Sequence, residues 1–158
     1  MSTAAPPVAR DFMVTQVVSL SPDLGIFEAV DVLLMNHIAG APVVDEQRRI
    51  LGFLSEKDCL KPLVDAAYES DPELTVGKCM TKDIRTISED ADALVIAELF
   101  MNHPYRRLPV VRDGVLVGQV SRRDFLKAVV EWTRPPSKPQ RPGFLYLSRV
   151  QDPKDVAL

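Results

Sequence analysis

The feature that most limits what this chain can fold into is that it is written twice. Shifted by 67 positions, Met13 falls on Met80, Val17 on Ile84, Ser21 on Ser88, Asp23 on Asp90, and the triplet Pro42, Val43, Val44 on Pro109, Val110, Val111. One residue fewer then changes the shift to 66, and Gly52 falls on Gly118, Ser55 on Ser121, Asp58 on Asp124, Leu60 on Leu126 and Lys61 on Lys127. Matches of mixed chemistry in one order mark a duplicated structural unit. A unit of roughly 55 residues buries too little apolar surface to be stable by itself. The copies are therefore expected to pack sheet to sheet, leaving two equivalent clefts about a pseudo-twofold axis.

Each copy reads β-α-β-β-α, so the expected fold is α/β (α+β) with two such repeats. A short β-branched run ("VVSLS", "IRTIS") leads to Ser21 or Ser88, which can cap a helix, with Pro22 suited to the first helical position. The helices should run to about Asn36 and His103; in the first, Leu24, Phe27, Val30, Leu33 and Leu34 make an apolar stripe at helical spacing. "APVVD" and "LPVVR" are brief strands. Asp113-Gly114 predicts a tight hairpin in the second copy, where the first has the longer turn "DEQRR". The closing helices open at Ser55 and Ser121, and Pro62 should kink the first of them.

Composition excludes several classes of function. With 19 basic and 22 acidic residues the net charge is −3, which gives no bulk attraction to nucleic acid or anionic lipid. No apolar run approaches the roughly 20 residues of a membrane span, and the start "MSTAAPPVARDF" has no long apolar run after a basic segment, so a cytoplasmic location is expected. Cys59 and Cys79 lack metal-ligand spacing and read as buried thiols. His37 and His103 sit at helix ends without a catalytic setting, and no enzyme signature or metal cluster occurs. The chain reads as a non-enzyme.

The phrases "GFLSEKDCLKPL" and "GQVSRRDFLKAV" carry the chemistry. In both, Ser-x-x-Asp opens a helix. The pair can close a capping box, with serine and aspartate each satisfying a backbone N–H. It can equally bind a ligand, since a carboxylate accepts two vicinal hydroxyls while a helix N-terminus donates N–H groups to phosphate. The copies differ at one point: Glu56 obeys the helix dipole, whereas Arg122 and Arg123 oppose it at about 0.3–1 kcal/mol each. An anion at that terminus would resolve the conflict. The alternative is that the guanidiniums point into water or pair with Glu46, Glu56 or Asp58.

On this doubled plan, M-(x)3-h…S-x-D…P-V-V…G-x-h-S-x-x-D, residues 8 to 132 resemble a tandem pair of CBS domains, the Bateman module. The resemblance implies that Ser55 with Asp58, and Ser121 with Asp124, contact the ribose and phosphate of an adenosine-containing ligand. It further implies that each cleft takes its base wall from one copy and its ribose-phosphate end from the other. The preferred cleft then sets Met13, Val14, Ile38, Ala39 and Gly40 opposite Ser121 and Asp124, with Ala39 and Gly40 leaving room for a flat base. Basic residues just before the strand reach the phosphate in nucleotide-binding relatives; Arg106 and Arg107 hold those positions, joined by Arg122 and Arg123. The second cleft pairs Ser55 and Asp58 with Thr75, Met80, Thr81 and Tyr105, narrowed by the same two arginines and made more acidic by Glu56.

AMP, ADP or ATP suits the arginines best; NAD and S-adenosylmethionine stand behind them, the latter for its cationic sulfonium. The domain plan is a flexible lead over 1–7, repeat 1 over 8–72, repeat 2 over 73–133 and a Pro-rich tail over 134–158. In the tail, "GFLYLSRV" is expected either to dock as an added strand or to stay unstructured. Trp132 reads as a packing or dimer-contact residue. The resemblance implies a disc-like homodimer and a regulatory role toward another, unidentified protein. A ligand-free scaffold for assembly is the rival reading.

Overall fold

The computed structural model describes residues 4–69 and 71–135; the segment "GFLYLSRV" lies outside them. In chain order the elements are α1 (Ala9–Phe12), α2 (Ile26–Met35), β1 (Gly40–Val44), β2 (Ile50–Ser55), α3 (Glu56–Ala66), α4 (Val76–Cys79), β3 (Ile87–Ser88), α5 (Ala93–Asn102), β4 (Arg107–Arg112), β5 (Val115–Ser121) and α6 (Arg122–Thr133). They form two small sheets, β1-β2 and β3-β4-β5, in a mixed α+β fold. In each, an antiparallel hairpin follows the apolar helix and leads into the closing helix.

The duplication is visible in detail, with two differences from expectation at the start of each copy. The leading strand is only Ile87–Ser88 in copy 2, parallel to β4, and a single bridge from Leu20 to Val43 in copy 1. Ser21 and Ser88 do not cap the apolar helices. Each hydroxyl accepts from a backbone N–H two residues on, at Asp23 and Asp90, closing a local turn. The helices begin four or five residues later. Asp92 caps α5 by accepting from the N–H groups of Leu94 and Val95, while its match in copy 1, Gly25, has no side chain to do so.

The hairpin turns follow their chemistry. Asp113 and Gly114 both have positive φ, at 50° and 79°, the combination that a two-residue hairpin of the primed type requires. Asp45 organises the longer turn of copy 1 by accepting from the N–H groups of Gln47 and Arg49. Pro62 lies inside α3, which runs on to Ala66.

Short helices precede each copy, and they exchange partners. Ala9, Phe12 and Met13 join the core of copy 2, around Ile87, Ile96, Leu108 and Val120. Val76, Cys79 and Met80 join the core of copy 1, around Leu20, Ile26, Val43 and Leu54. Backbone bridges fix the exchange: Val14 pairs with Gln119 of β5, and Thr81 pairs with Phe53 of β2. Each copy is thus completed by the segment that opens the other, so neither core can close without its neighbour. Residues 4–7, expected as a flexible lead, are also engaged: Pro7 accepts from the N–H of Ala93, and Ala4 from the indole N–H of Trp132.

The apolar stripe of α2 is wider than its buried face. Leu33 is buried, whereas Phe27 and Leu34 are more than half exposed. Their matches in α5, Leu94 and Met101, are exposed as well, and so are Leu60 and Val64 of α3 with their matches Leu126 and Val130 of α6. The uncovered apolar surface therefore obeys the same pseudo-twofold symmetry as the core.

Candidate functional site

Both closing helices open in a complete capping box. In copy 1 the N–H of Ser55 donates to Asp58 Oδ2 at 2.9 Å and Ser55 Oγ accepts from the N–H of Asp58 at 3.2 Å. In copy 2 the corresponding distances for Ser121 and Asp124 are 2.9 and 3.1 Å. Each hydroxyl also donates to Oδ2 of its aspartate. The serine protons are committed to the cap, which leaves the serines only as acceptors toward a ligand. Each aspartate spends one oxygen on the box and keeps Oδ1 for other work, so capping and binding coexist on this side chain.

Here the copies diverge. Asp58 Oδ1 accepts from the hydroxyl of Thr81 at 3.3 Å, across the exchange between copies. The match of Thr81 is Val14, which has no hydroxyl, and among the described residues Asp124 Oδ1 takes no hydrogen bond. Asp124 is half-buried beside the start of α6. It presents a free carboxylate oxygen on one side of the module only.

The arginines gather at the same corner. Arg107 lies opposite Ser121 in the β4-β5 register, and the N–H of Arg122 donates to the carbonyl of Arg106 at 3.2 Å. The ion pairs among the described residues join Arg10 to Asp90, Lys61 to Asp65 and Arg112 to Glu89, so Arg106, Arg107, Arg122 and Arg123 enter none of them. The pairing with Glu46, Glu56 or Asp58 that would have neutralised them does not form. Arg106 and Arg107 at the head of β4 and Arg122 and Arg123 in the first turn of α6 thus occupy neighbouring backbone positions, and positive charge beside a helix N-terminus favours an anion there.

The expected walls are only partly assembled by contact. Met13 and Val14 of the preferred wall lie on β5, where Val14 bridges Gln119 and Met13 packs on Gly118. In the second cleft Thr81 touches Asp58, and Met80 lies on Gly52. Ala39 and Gly40 are tied to the Ser55 corner instead: the carbonyl of Ala39 accepts from the N–H of Glu56, and Gly40 pairs with Ser55. The room expected at Gly40 is also taken, because a Cβ there would stand 2.5 Å from the Phe53 ring. Ile38 and Tyr105 pack against the cores of their own copies, and Tyr105 stacks on His103 at 5.2 Å. Thr75 pairs with Gly25 at the foot of α2, separated from Met80 by the length of α4.

Phe53 and Gln119 were missed by motif reading. They are matching positions on the two sheets, each bridging to the exchanged segment of the other copy. The signal was present in the phrase itself, where the residue after glycine is aromatic in one copy and an amide in the other. Two cavities, of about 260 Å³ beside Gly25, Phe27 and Pro72 and about 510 Å³ beside Phe12 and Trp132, lie elsewhere, and neither is lined by a Ser-Asp pair. Of the two thiols, Cys59 is buried and Cys79 only half-buried. Burial, then the neighbouring Asp58 carboxylate, pushes the Cys59 thiol up to about 11. No helix among the described residues is long and apolar enough to cross a membrane.

A duplicated α+β unit with exchanged opening segments and paired Ser-Asp corners defines the class. The CBS domain model matches residues 9–65 and again 76–131, and the chain belongs to that family as a tandem pair. A 17.7 kDa protein of Acidianus ambivalens is 31% identical over 118 residues, which are 74% of this chain and 70% of that one. Inosine-5'-monophosphate dehydrogenase of Methanocaldococcus jannaschii is 32% identical over 120 residues, 75% of this chain but 23% of the enzyme. The CBS-pair protein CBSX2 of Arabidopsis thaliana superposes with a TM-score of 0.73 at 24% identity, over 84% of this chain and 100% of that one. CBSX2 in complex with AMP gives 0.68 at 25% identity, over 78% and 96%.

Proposed function

We propose that the chain is a regulatory module that binds an adenine nucleotide, AMP, ADP or ATP, at the Ser121-Asp124 corner and reports its occupancy to a partner protein in the cytoplasm. The carrying observation is the uncommitted Asp124 Oδ1 at the start of α6, where the neighbouring Arg106, Arg107, Arg122 and Arg123 make no ion pair among the described residues. In this reading Asp124 accepts the ribose hydroxyls while Arg106, Arg107 and Arg122 hold the phosphate at the N-terminus of α6. Met13 and Val14 flank the base. Arg122 and Arg123 then cease to be misplaced, because the anion they face outweighs the helix dipole. The AMP complex of a CBS pair with the same fold supports the ligand class. The corner at Ser55 and Asp58, where Thr81 already occupies the second oxygen and Glu56 adds negative charge, is empty or weak. NAD and S-adenosylmethionine rank behind the adenine nucleotides.

The exposed apolar residues of α2, α3, α5 and α6 support a homodimer in which both helical edges are covered by a second copy, since a surface that repeats under the pseudo-twofold is matched best by a symmetric partner. A ligand-free scaffold is the second reading. The complete capping boxes and the position of the two cavities away from the corners favour it. Thermal unfolding decides between them: a nucleotide at one hundred times its dissociation constant adds about 2.7 kcal/mol, or roughly 5–10 °C for this length. No shift with any adenine nucleotide leaves the scaffold.

A further inference from the structure

Gln119 is the one residue in the described chain whose buried side-chain oxygen lacks a partner. It is 9% exposed, and its Oε1 meets no donor. Its direction follows from strand alternation. Leu108, Val110 and Val120 belong to the core under the helices, and the register sets Leu108 opposite Val120 and Pro109 opposite Gln119. Gln119 and Pro109 therefore point to the opposite face of the sheet, the face turned toward the other copy. On its free flank, Gln119 exchanges two backbone hydrogen bonds of 2.9 Å with Val14. Two residues further along the same face of β5 is Ser121, the cap of α6. The amide thus lies on the inter-copy face of β5, between the Val14 bridge and the Ser121-Asp124 cap of α6.

A buried acceptor left unpaired costs roughly 1–3 kcal/mol, so such a group calls for a donor. The matching residue in copy 1 needs none: Phe53 is apolar, and its ring fills the space above Gly40. The matching positions therefore carry a buried, unpartnered amide in copy 2 and an aromatic ring over Gly40 in copy 1.

We propose that Gln119 determines base specificity, its Oε1 accepting the exocyclic amino group of a 6-aminopurine bound between Val14 and Asp124. The assignment rests on the nucleotide reading above and adds the residue that selects the base. The amide matches a 6-aminopurine edge, which offers a donor next to a ring-nitrogen acceptor. A purine without the amino group leaves Oε1 unpaired and loses about ten- to a hundredfold in affinity.

The test is calorimetric titration of the full chain with AMP and with purine riboside 5'-monophosphate, which differs only by the missing amino group, on the natural protein and on Gln119→Leu. The natural protein should prefer AMP by at least tenfold. Gln119→Leu should bind both nucleotides within about threefold of each other, and its unliganded melting point should rise by about 3–8 °C as the unpaired acceptor is removed. Equal binding of the two nucleotides by the natural protein overturns the role of Gln119 while the nucleotide reading stands, with no dependence on the variant's folding. Retained preference in Gln119→Leu does the same. Failure of the natural protein to bind AMP overturns both.

Discussion

Met13 of the first copy fills the space that Gly118 of the second leaves open. A Cβ on Gly118 would lie 2.6 Å from Met13 Sδ, and the matching Cβ on Gly52 would lie 2.8 Å from Met80 Sδ. The glycines of the repeated phrase are therefore packing requirements of the exchange between copies. At Gly52 the closest atom is the Thr81 carbonyl oxygen at 2.7 Å, part of the backbone bridge, whereas at Gly118 the Val14 carbonyl stands off at 3.0 Å and the sulfur can move. Gly52→Ala is predicted to cost more than Gly118→Ala, at about 1–3 kcal/mol for the worse case. Urea unfolding measures both, and Met13→Ala should restore part of the Gly118→Ala loss but none at Gly52.

The missing cap of α2 gives a second prediction. Asp92→Ala should cost about 1 kcal/mol by removing the acceptor for Leu94 and Val95, and Gly25→Asn should gain a few tenths by supplying one. Gly25 has φ −63°, and a Cβ there meets nothing closer than 3.9 Å, so the substitution introduces no strain. Equal melting points for Gly25→Asn and the natural chain would show that the asymmetry of the caps has no energetic weight.

Cys59 predicts an alkaline limit to stability. Its thiol is raised in the folded state from 9.0 to about 11, so folding favours the protonated form. That contribution is complete below the unfolded value and is lost as pH rises from about 9 through 11. Cys59→Ala should flatten the alkaline side of the pH-stability curve. At pH 8 the native thiol should react with iodoacetamide far more slowly than in urea.

The surface predicts assembly. If the symmetric apolar edges bind a second copy, light scattering should give twice the 17.6 kDa chain mass, and Leu34→Glu combined with Met101→Glu should return the monomer without loss of helix. A monomeric natural protein at tens of micromolar would rule the homodimer out.

How much of this was legible in the sequence depends on range. Both capping boxes, the Asp113-Gly114 turn and the doubling of the fold are local or periodic signals, and all are present. The helix starts at Gly25 and Asp92 were misread because a serine hydroxyl followed by a turn carries the same signature whether it caps a helix or closes that turn on itself at Asp23 or Asp90. The exchange of α1 and α4 between cores was not readable from local pattern: only the family resemblance set Met13 and Val14 against the closing phrase of copy 2, and nothing near Met13 in the chain indicates that it packs on Gly118. Phe53 over Gly40 is a tertiary contact of the same kind: the short side chains suggested open space, and a ring from the next strand occupies it. At the candidate site the Ser-Asp pairs and the arginines were visible from the duplication. The difference between Asp58 and Asp124 was not, because it depends on a hydroxyl at Thr81 and its absence at Val14, which only the exchange brings into register.

The central claim is that a free carboxylate oxygen and a set of unpaired guanidiniums make the Asp124 corner the one that holds a nucleotide. Calorimetric titration of AMP into the natural chain, Asp124→Asn and Asp58→Asn tests it most directly. One site per chain, lost or weakened at least tenfold in Asp124→Asn and unchanged in Asp58→Asn, is the predicted result. Binding that survives Asp124→Asn and disappears in Asp58→Asn would contradict it.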